Sequence, residues 1–403
     1  MESIFKVPGV PDIMYEVALS PYNPKLEVGE VIVYDSTLRD GEQTPGICFS
    51  LEQKVAIARK LDEMRVPQIE AGFPAVSERE QASVKAICDQ KLDADILVLS
   101  RIIKGDIDAS IDAGVDMVLL FIATSDIHIQ YKFKKDRQFV LDKVVEGVEY
   151  AKSRGVGVSL SAEDTTRTDL DFLLQVYRAA EEAGADRIGV TDTLGCASPE
   201  AISFLVGKAK ETVKIPISLH LHNDYGLALA NAIAGVKAGA TAITTTVNGI
   251  GERCGNVPLE QFVAAMKFIY GKDLGIDCTK LKEVSDLVES FSGLCKPVNQ
   301  PIVGHNAFSH ESGIHVAAVL CCPLTYESIP PELVGNQRHI LMGKHTGINY
   351  VRKRVDDLGL MATDEQLAEI LDKVKVLGEK KGRVNDHEFR EIASLIVRSV
   401  FTT

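Results

Sequence analysis

Several features are missing from this sequence, and each absence narrows what the protein can be. No apolar run approaches the roughly 20 residues that a bilayer-spanning helix needs. The longest, such as Met117-Val118-Leu119-Leu120-Phe121-Ile122-Ala123, have the length of a strand, so no membrane partner is expected. The opening residues, Met1-Glu2-Ser3-Ile4-Phe5-Lys6, carry an acid and lack an extended apolar core; no secretory leader is expected, and the cytoplasm is the expected location. There is no C-x-x-C pair. The eight cysteines (Cys48, Cys88, Cys196, Cys254, Cys278, Cys295, Cys321, Cys322) are scattered, and a chain of 403 residues can bury its core without staples. They read as free thiols, with the adjacent Cys321-Cys322 an incidental loop pair. Positive charge is in deficit, 44 Lys and Arg against 57 Asp and Glu. The net charge of −13 argues against nucleic acid or anionic lipid as partners and still allows a small anionic substrate held by local groups. No G-x-G-x-x-G follows an early strand, which weighs against a dinucleotide-binding fold.

What is present is a repeating pattern. At 45% hydrophobic and 25% charged residues the composition is that of a globular chain with one large domain and smaller attachments. Eight short β-branched runs begin near Val31, Gln68, Ile96, Met117, Gly157, Arg187, Ile217 and Ala242. Between them lie amphipathic stretches such as 51–64, 137–153, 170–183, 200–213 and 227–238, with apolar residues at three- and four-residue spacing. Eight β–α units in about 240 residues predict a closed (β/α)8 TIM barrel, since open parallel sheets more often have five or six strands. The expected organisation is an irregular N-terminal arm over 1–30, lying on the barrel or on a neighbouring subunit, and the barrel over 31–275. A linker subdomain contributing to the active site follows over 276–330, then a small, mainly helical subdomain over 331–403, with helices at 365–380 and 386–400.

In such a barrel the active site forms where the strands end. The residues there include Thr37-Leu38-Arg39-Asp40-Gly41-Glu42-Gln43, Glu70-Ala71-Gly72, Ser100-Arg101, Thr124-Ser125-Asp126, Ser161-Ala162-Glu163-Asp164, Thr191-Asp192-Thr193, His220-Leu221-His222-Asn223-Asp224 and Asn248-Gly249-Ile250-Gly251-Glu252-Arg253. Ionisable groups in phase with all eight strands read as a catalytic mouth.

The sharpest signal is His220 and His222 on strand seven. A strand sends residues i and i+2 to one face, so both imidazoles project together, half of a divalent-metal site. Asp40 after strand one and Asn256 beyond strand eight can reach them once the barrel closes, giving a mixed oxygen and nitrogen set with room for substrate. Arg39 beside that acid makes sense where negative charge develops. Read from the residues alone, Glu163 is an ion-pair partner for Arg167, His315 a packed residue, and His305 and His310 structural, while His128 is either substrate-facing or a loop residue and is not assigned.

Asp35-Ser36-Thr37-Leu38-Arg39-Asp40-Gly41-Glu42-Gln43, His220-Leu221-His222-Asn223-Asp224 and Gly249-Ile250-Gly251-Glu252-Arg253-Cys254-Gly255-Asn256 resemble the 2-isopropylmalate, homocitrate and citramalate synthases. Their superfamily of metal-using barrels also holds 3-hydroxy-3-methylglutaryl-CoA lyase. The resemblance continues through His310-Glu311-Ser312-Gly313-Ile314-His315, Thr325-Tyr326-Glu327 and Gly343-Lys344-His345-Thr346-Gly347, and so covers roughly residues 30 to 400. It implies an acyltransferase that converts the acyl group to alkyl on transfer: the methyl carbon of acetyl-CoA attacks the ketone of a 2-oxo acid, and the thioester is then hydrolysed. It implies one divalent ion (Zn²⁺, Mn²⁺ or Mg²⁺) on Asp40, His220, His222 and Asn256, and a homodimer. Arg39 would stabilise the oxyanion, Glu163 and His315, reaching the mouth from the attached subdomain, would relay the methyl proton, and Tyr326 would assist. Gln43 and Thr193 would bind the oxo acid.

For the acceptor, synthases that take 2-oxoglutarate usually place a basic residue two positions before Ser161-Ala162-Glu163-Asp164 and a histidine at the end of strand three, whereas this chain has Ser159 and Ser100-Arg101 there. A buried distal carboxylate needs a cationic or hydrogen-bonding partner, so only Arg101 keeps 2-oxoglutarate in view. The loop Phe121–His128 resembles that of isopropylmalate synthases. The leading expectation is therefore 2-isopropylmalate formation from 2-oxoisovalerate, with homocitrate, citramalate (from pyruvate) and citrate (from oxaloacetate) behind it. Isopropylmalate synthases often continue into a leucine-binding regulatory domain, and the sequence ends about sixty residues after Gly347, so none is expected. The short form is common among homocitrate-type members, so length and loop sequence point to different acceptors. A carbon–carbon lyase of the superfamily is the alternative of another class. A metal-dependent hydrolase barrel would carry its H-x-H on strand one.

Overall fold

The structure, a computed structural model, describes residues 18–398. Eight parallel strands close into a barrel in chain order: β1 (Ile32–Asp35), β2 (Gln68–Glu70), β3 (Asp95–Arg101), β4 (Met117–Ala123), β5 (Gly157–Glu163), β6 (Arg187–Asp192), β7 (Ile217–Leu221) and β8 (Ala242–Thr245). Closure is made by β1 on β8, from Ile32 opposite Ala242 to Asp35 opposite Thr245. Strands buried on both faces read as continuous apolar runs, which is why β4 carries Val118, Leu119, Leu120, Ile122 and Ala123 with almost no exposure. Each Val, Leu or Ile among them contributes about 1.5–3 kcal/mol on removal from water before chain entropy is counted.

The helices of the outer ring start at the signals their sequences carry. In α1 (Leu51–Glu63), Ser50 and Gln53 cap each other reciprocally; Ser198 caps α6 (Pro199–Thr212), which opens on proline. Between these lie α2 (Glu78–Cys88), α3 (Lys104–Asp112), α4 (Arg137–Ser153) and α5 (Leu170–Glu182), and α7 (Ala228–Ala238) and α8 (Leu259–Ala264) complete the ring. Among the described residues no helix is long and apolar enough to cross a membrane.

The chain divides into two compact units, Pro24–Lys296 and one built mainly from residues 297–398. The boundary falls later than the expected residue 275. Helix α9 (Leu281–Ser292) belongs with the barrel, because Asn248 Nδ2 donates to Ser285 O at 2.9 Å, Ser285 Oγ donates to Asn248 Oδ1 at 2.5 Å, and Lys60 pairs with Glu283 at 2.8 Å. Residues 24–30 carry no regular structure and are tied to the barrel through Leu26 N to Tyr270 O and Lys272 Nζ to Val28 O. Residues 1–17 of the expected arm lie outside the described residues.

The second unit holds α10 (Gly313–Cys321), α11 (Ile348–Asp357), α12 (Asp364–Lys381) and α13 (Asp386–Arg398) around Val316, Val351, Leu367, Ile370, Val374 and Phe389. Its one core joins residues that the sequence had divided at 330. A short parallel pairing of Ser309–His310 with His339–Ile340 accompanies the helices.

Candidate active site

The turn after β1 is built to carry a carboxylate inward. Asp35 accepts from Thr37 N at 2.9 Å, and the backbone N–H groups of Arg39 and Gly41 both return to Ser36 O. This turns the chain tightly enough that Asp40 is buried. Arg39 is held by a bidentate pair with Glu70 at the end of β2, Nε to Oε1 at 2.7 Å and Nη2 to Oε2 at 3.0 Å, and Ser36 Oγ donates to the same carboxylate at 2.5 Å. The second face of the guanidinium lies 3.4 Å from Asp40 Oδ1 and from Gln43 Oε1. A fork gripped on one side is aimed on the other.

His220 and His222 project from β7 as the period of a strand requires, their rings 5.1 Å apart and nearly perpendicular. Their Nε2 atoms lie 3.4 and 3.8 Å from Asp40 Oδ2. Candidate ligand atoms from Asp40, His220 and His222 all lie within 4.8 Å of one another. Asn256 joins them: its backbone bridges His222, and its Nδ2 donates to Asp40 Oδ2 at 2.7 Å. Glycine is required beside it, since a Cβ at Gly251 would collide with the Asn256 amide and one at Gly255, with φ +80°, would collide with Gly249 O.

The electrostatics suit a cation. Burial pushes the Asp40 carboxyl up, but Arg39 and the two imidazoles outweigh this and hold it well below the usual carboxylate range. Burial, with the neighbouring His220, pushes His222 down to about 4, against the pull of Asp40, so it is a neutral donor at pH 7. Asn256 Oδ1 is buried without a hydrogen-bond partner. A carboxylate, two imidazoles and an unsatisfied amide oxygen fit a divalent ion.

Across the mouth, Glu163 ends β5 and is paired with Lys132, not with Arg167. Lys132 Nζ lies 2.9 and 2.6 Å from the two carboxylate oxygens, and His128 Nδ1 lies 3.5 Å from Oε1. Arg167 pairs instead with Asp164, whose backbone is left-handed (φ +65°). Asp164 N donates to Thr193 Oγ1 at 2.9 Å, and Arg253 joins Thr193 O to Asp224.

The acceptor-pocket residues need correction. Leu97 and Leu99 belong to the barrel interior, so Ser100 between them and Arg101 faces the helices. Ser159 faces inward but lies in a lower layer, paired in register with Arg187 at the start of β6, whose Nε donates to its hydroxyl at 3.3 Å. Arg187 also donates to Gln68 Oε1 at 2.9 Å and stacks over the Tyr34 ring, filling the barrel floor. Arg101 is at the rim, bonded to Asp106 at 2.5 and 3.2 Å. His315 and Tyr326 lie in the second unit, where their rings stack at 4.0 Å and His310 meets Glu327 at 3.1 Å. The sequence placed Glu70 at the rim without a role and gave no place to Lys132. Glu70 carried a signal, an acid ending the strand beside β1; Lys132, in a short π-helical turn over Ile129–Phe133, carried none.

Fold and site together define a barrel enzyme with a candidate divalent-metal centre at its mouth. The HMGL-like family matches residues 30–288, and a homocitrate synthase post-HMGL domain-like family matches residues 302–382. The chain belongs to the HMGL-like family. It is 49% identical over 381 residues to homocitrate synthase AksA of Methanothermobacter thermautotrophicus, covering 94% of this chain and 97% of that one. It is 53% identical over 350 residues to a probable 2-isopropylmalate synthase of Methanopyrus kandleri, covering 87% and 70%. In fold it is similar to an HMG-CoA lyase of Bacillus subtilis, with TM-score 0.61, 18% identity, and coverage of 68% and 97%. Within the family the chain is an acyl-CoA-dependent condensing synthase.

Proposed function

We propose that the protein condenses acetyl-CoA with 2-oxoglutarate and that water then hydrolyses the resulting thioester to give homocitrate and free coenzyme A. The observation that carries the chemistry is the gathering of Asp40, His220 and His222 beside a guanidinium already fixed by Glu70. The acceptor rests on the similarity to homocitrate synthases, which weighs against the 2-isopropylmalate reading favoured by the loop sequence.

Asp40, His220, His222 and the Asn256 oxygen would hold a divalent ion, which when bound supplies Lewis-acid polarisation of the oxo acid's carbonyl. Arg39 then faces the oxygen on which charge develops, at no reorganisation cost because Glu70, itself bonded by Ser36, holds it. Thr193 accepts from Asp164 N, which leaves its hydroxyl able to donate to the oxo acid's carboxylate, and Gln43 lies beside Arg39 for the same purpose. Glu163 takes the methyl proton of acetyl-CoA. His315 and Tyr326 are assigned to that proton's relay on the family resemblance. For the distal carboxylate, Lys132 and Arg101 are cations on the β3–β5 side, opposite the histidines. The test is thiol release from acetyl-CoA with 2-oxoglutarate, 2-oxoisovalerate, pyruvate and oxaloacetate. A clear preference for 2-oxoglutarate is expected; a clear preference for any other overturns the acceptor, and no release with any overturns the reaction.

A further inference from the structure

We propose that Lys54 is the positioning residue of this site: from α1 it holds the chain on both sides of Arg39 and Asp40 and so sets where the Asp40 carboxylate meets the two histidines. The inference rests on the metal reading above. Lys54 is one of the largest fully buried side chains, 1% exposed. Its ammonium donates to Leu38 O at 3.3 Å, pairs with Glu42 Oε2 at 2.6 Å, and donates to both oxygens of Glu80 at 2.7 Å. Leu38 and Glu42 flank the segment Arg39-Asp40-Gly41. One buried cation therefore grips the turn immediately before and after the residues that carry the chemistry.

The third partner extends the grip to the next loop. Glu80, on α2, also accepts from Phe73 N at 3.2 Å, and Phe73 lies three residues beyond Glu70, the carboxylate that holds Arg39. The loops after β1 and β2 are thus joined twice, within the mouth by Arg39 and Glu70 and on the helix side by Lys54 with Glu42 and Glu80. Glu42 and Glu80 are themselves only 20% and 17% exposed, so the ammonium neutralises two partly buried carboxylates while fixing the geometry of the turn between them. Three N–H donors on a compact head match three acceptor groups, two on the turn after β1 and one on α2. Outer partners of metal ligands typically set ligation by about 10–100-fold, and that is the range at stake.

The test compares wild type, K54M and E42Q of the full chain, stripped with chelator. Three quantities are read: Mn²⁺ binding by equilibrium dialysis, thermal unfolding, and kcat and KM in the thiol assay. E42Q keeps the Lys54–Glu80 pair and an acceptor for Phe49 N, so it remains informative even where K54M does not fold. Expected are a loss of Mn²⁺ affinity of about tenfold or more in K54M and a smaller loss in E42Q. In both, kcat falls while KM for acetyl-CoA stays within about twofold, and the K54M/E42Q double variant binds no worse than K54M because both act through one contact. Lowered melting temperature with wild-type Mn²⁺ affinity in the folded variants would make Lys54 a stability residue and overturn the proposal. Wild type binding no Mn²⁺ would overturn the metal reading first, and the proposal with it.

Discussion

Lys132 Nζ lies 2.6 and 2.9 Å from the two carboxylate oxygens of Glu163, with the rings of Phe121 and Phe133 at 5.9 and 5.8 Å. The carboxylate assigned to the methyl proton is thus held by an ammonium in the free protein, and a substrate carboxylate arriving on that side competes for the same cation. Lys132→Met is expected to raise KM for 2-oxoglutarate about 10–100-fold, the worth of a charge-assisted hydrogen bond, while KM for acetyl-CoA stays constant. Steady-state thiol release with both acceptor classes checks this. An equal loss with 2-oxoisovalerate would show that Lys132 acts only on Glu163.

His220→Ala and Asp40→Asn are expected to lose bound metal and turnover together, measured by metal content after purification and by thiol release. Chelation of the wild type should abolish activity and a divalent salt restore it. Full turnover in either variant would remove the cluster from the mechanism.

Arg39→Ala separates binding from rate. With Asp40 and the histidines intact, metal content is expected to be unchanged and kcat to fall about 10²–10³-fold, the usual loss of one preorganised oxyanion donor. Glu70→Gln should fall in between, because Arg39 keeps its charge and loses its bidentate anchor. An unchanged kcat in Arg39→Ala would end that assignment.

A pH dependence of stability follows from Asp35. Burial pushes its carboxyl up to about 7, against the donors Thr37 and Thr245. Its folded value lies above its unfolded value, so between about pH 4 and 7 the folded state binds the extra proton and stability falls as pH rises. Asp35→Asn is expected to flatten that slope and to raise stability at pH 8 by a few kcal/mol, since each tenfold change in proton affinity is worth about 1.4 kcal/mol. Urea unfolding at pH 5 and pH 8 measures it. A slope unchanged in the variant would show that Asp35 does not titrate there.

Much of this site was legible in the primary sequence. Periods of 2 and 3.6 are local properties, and they placed eight strands, the helices between them and the rim residues close to where they lie; strand alternation alone put His220 and His222 on one face. Ser159 shows where that reasoning stops. Its spacing from Glu163 was readable, but its depth was not, because depth depends on the stagger between neighbouring strands, and Arg187 occupies the space beside it.

By itself the sequence determined a barrel with its chemistry at the strand ends, since both follow from periodicities of a few residues. Only the tertiary structure decided which charge meets which. Asp40 meets Asn256 across 216 residues because β1 closes on β8. Arg39 turns to Glu70, Lys132 takes Glu163 from the nearer Arg167, and Lys54 joins the turn after β1 to α2. Ion-pair partners are chosen by distances and burial that exist only once the chain has closed, and no local spacing encodes them.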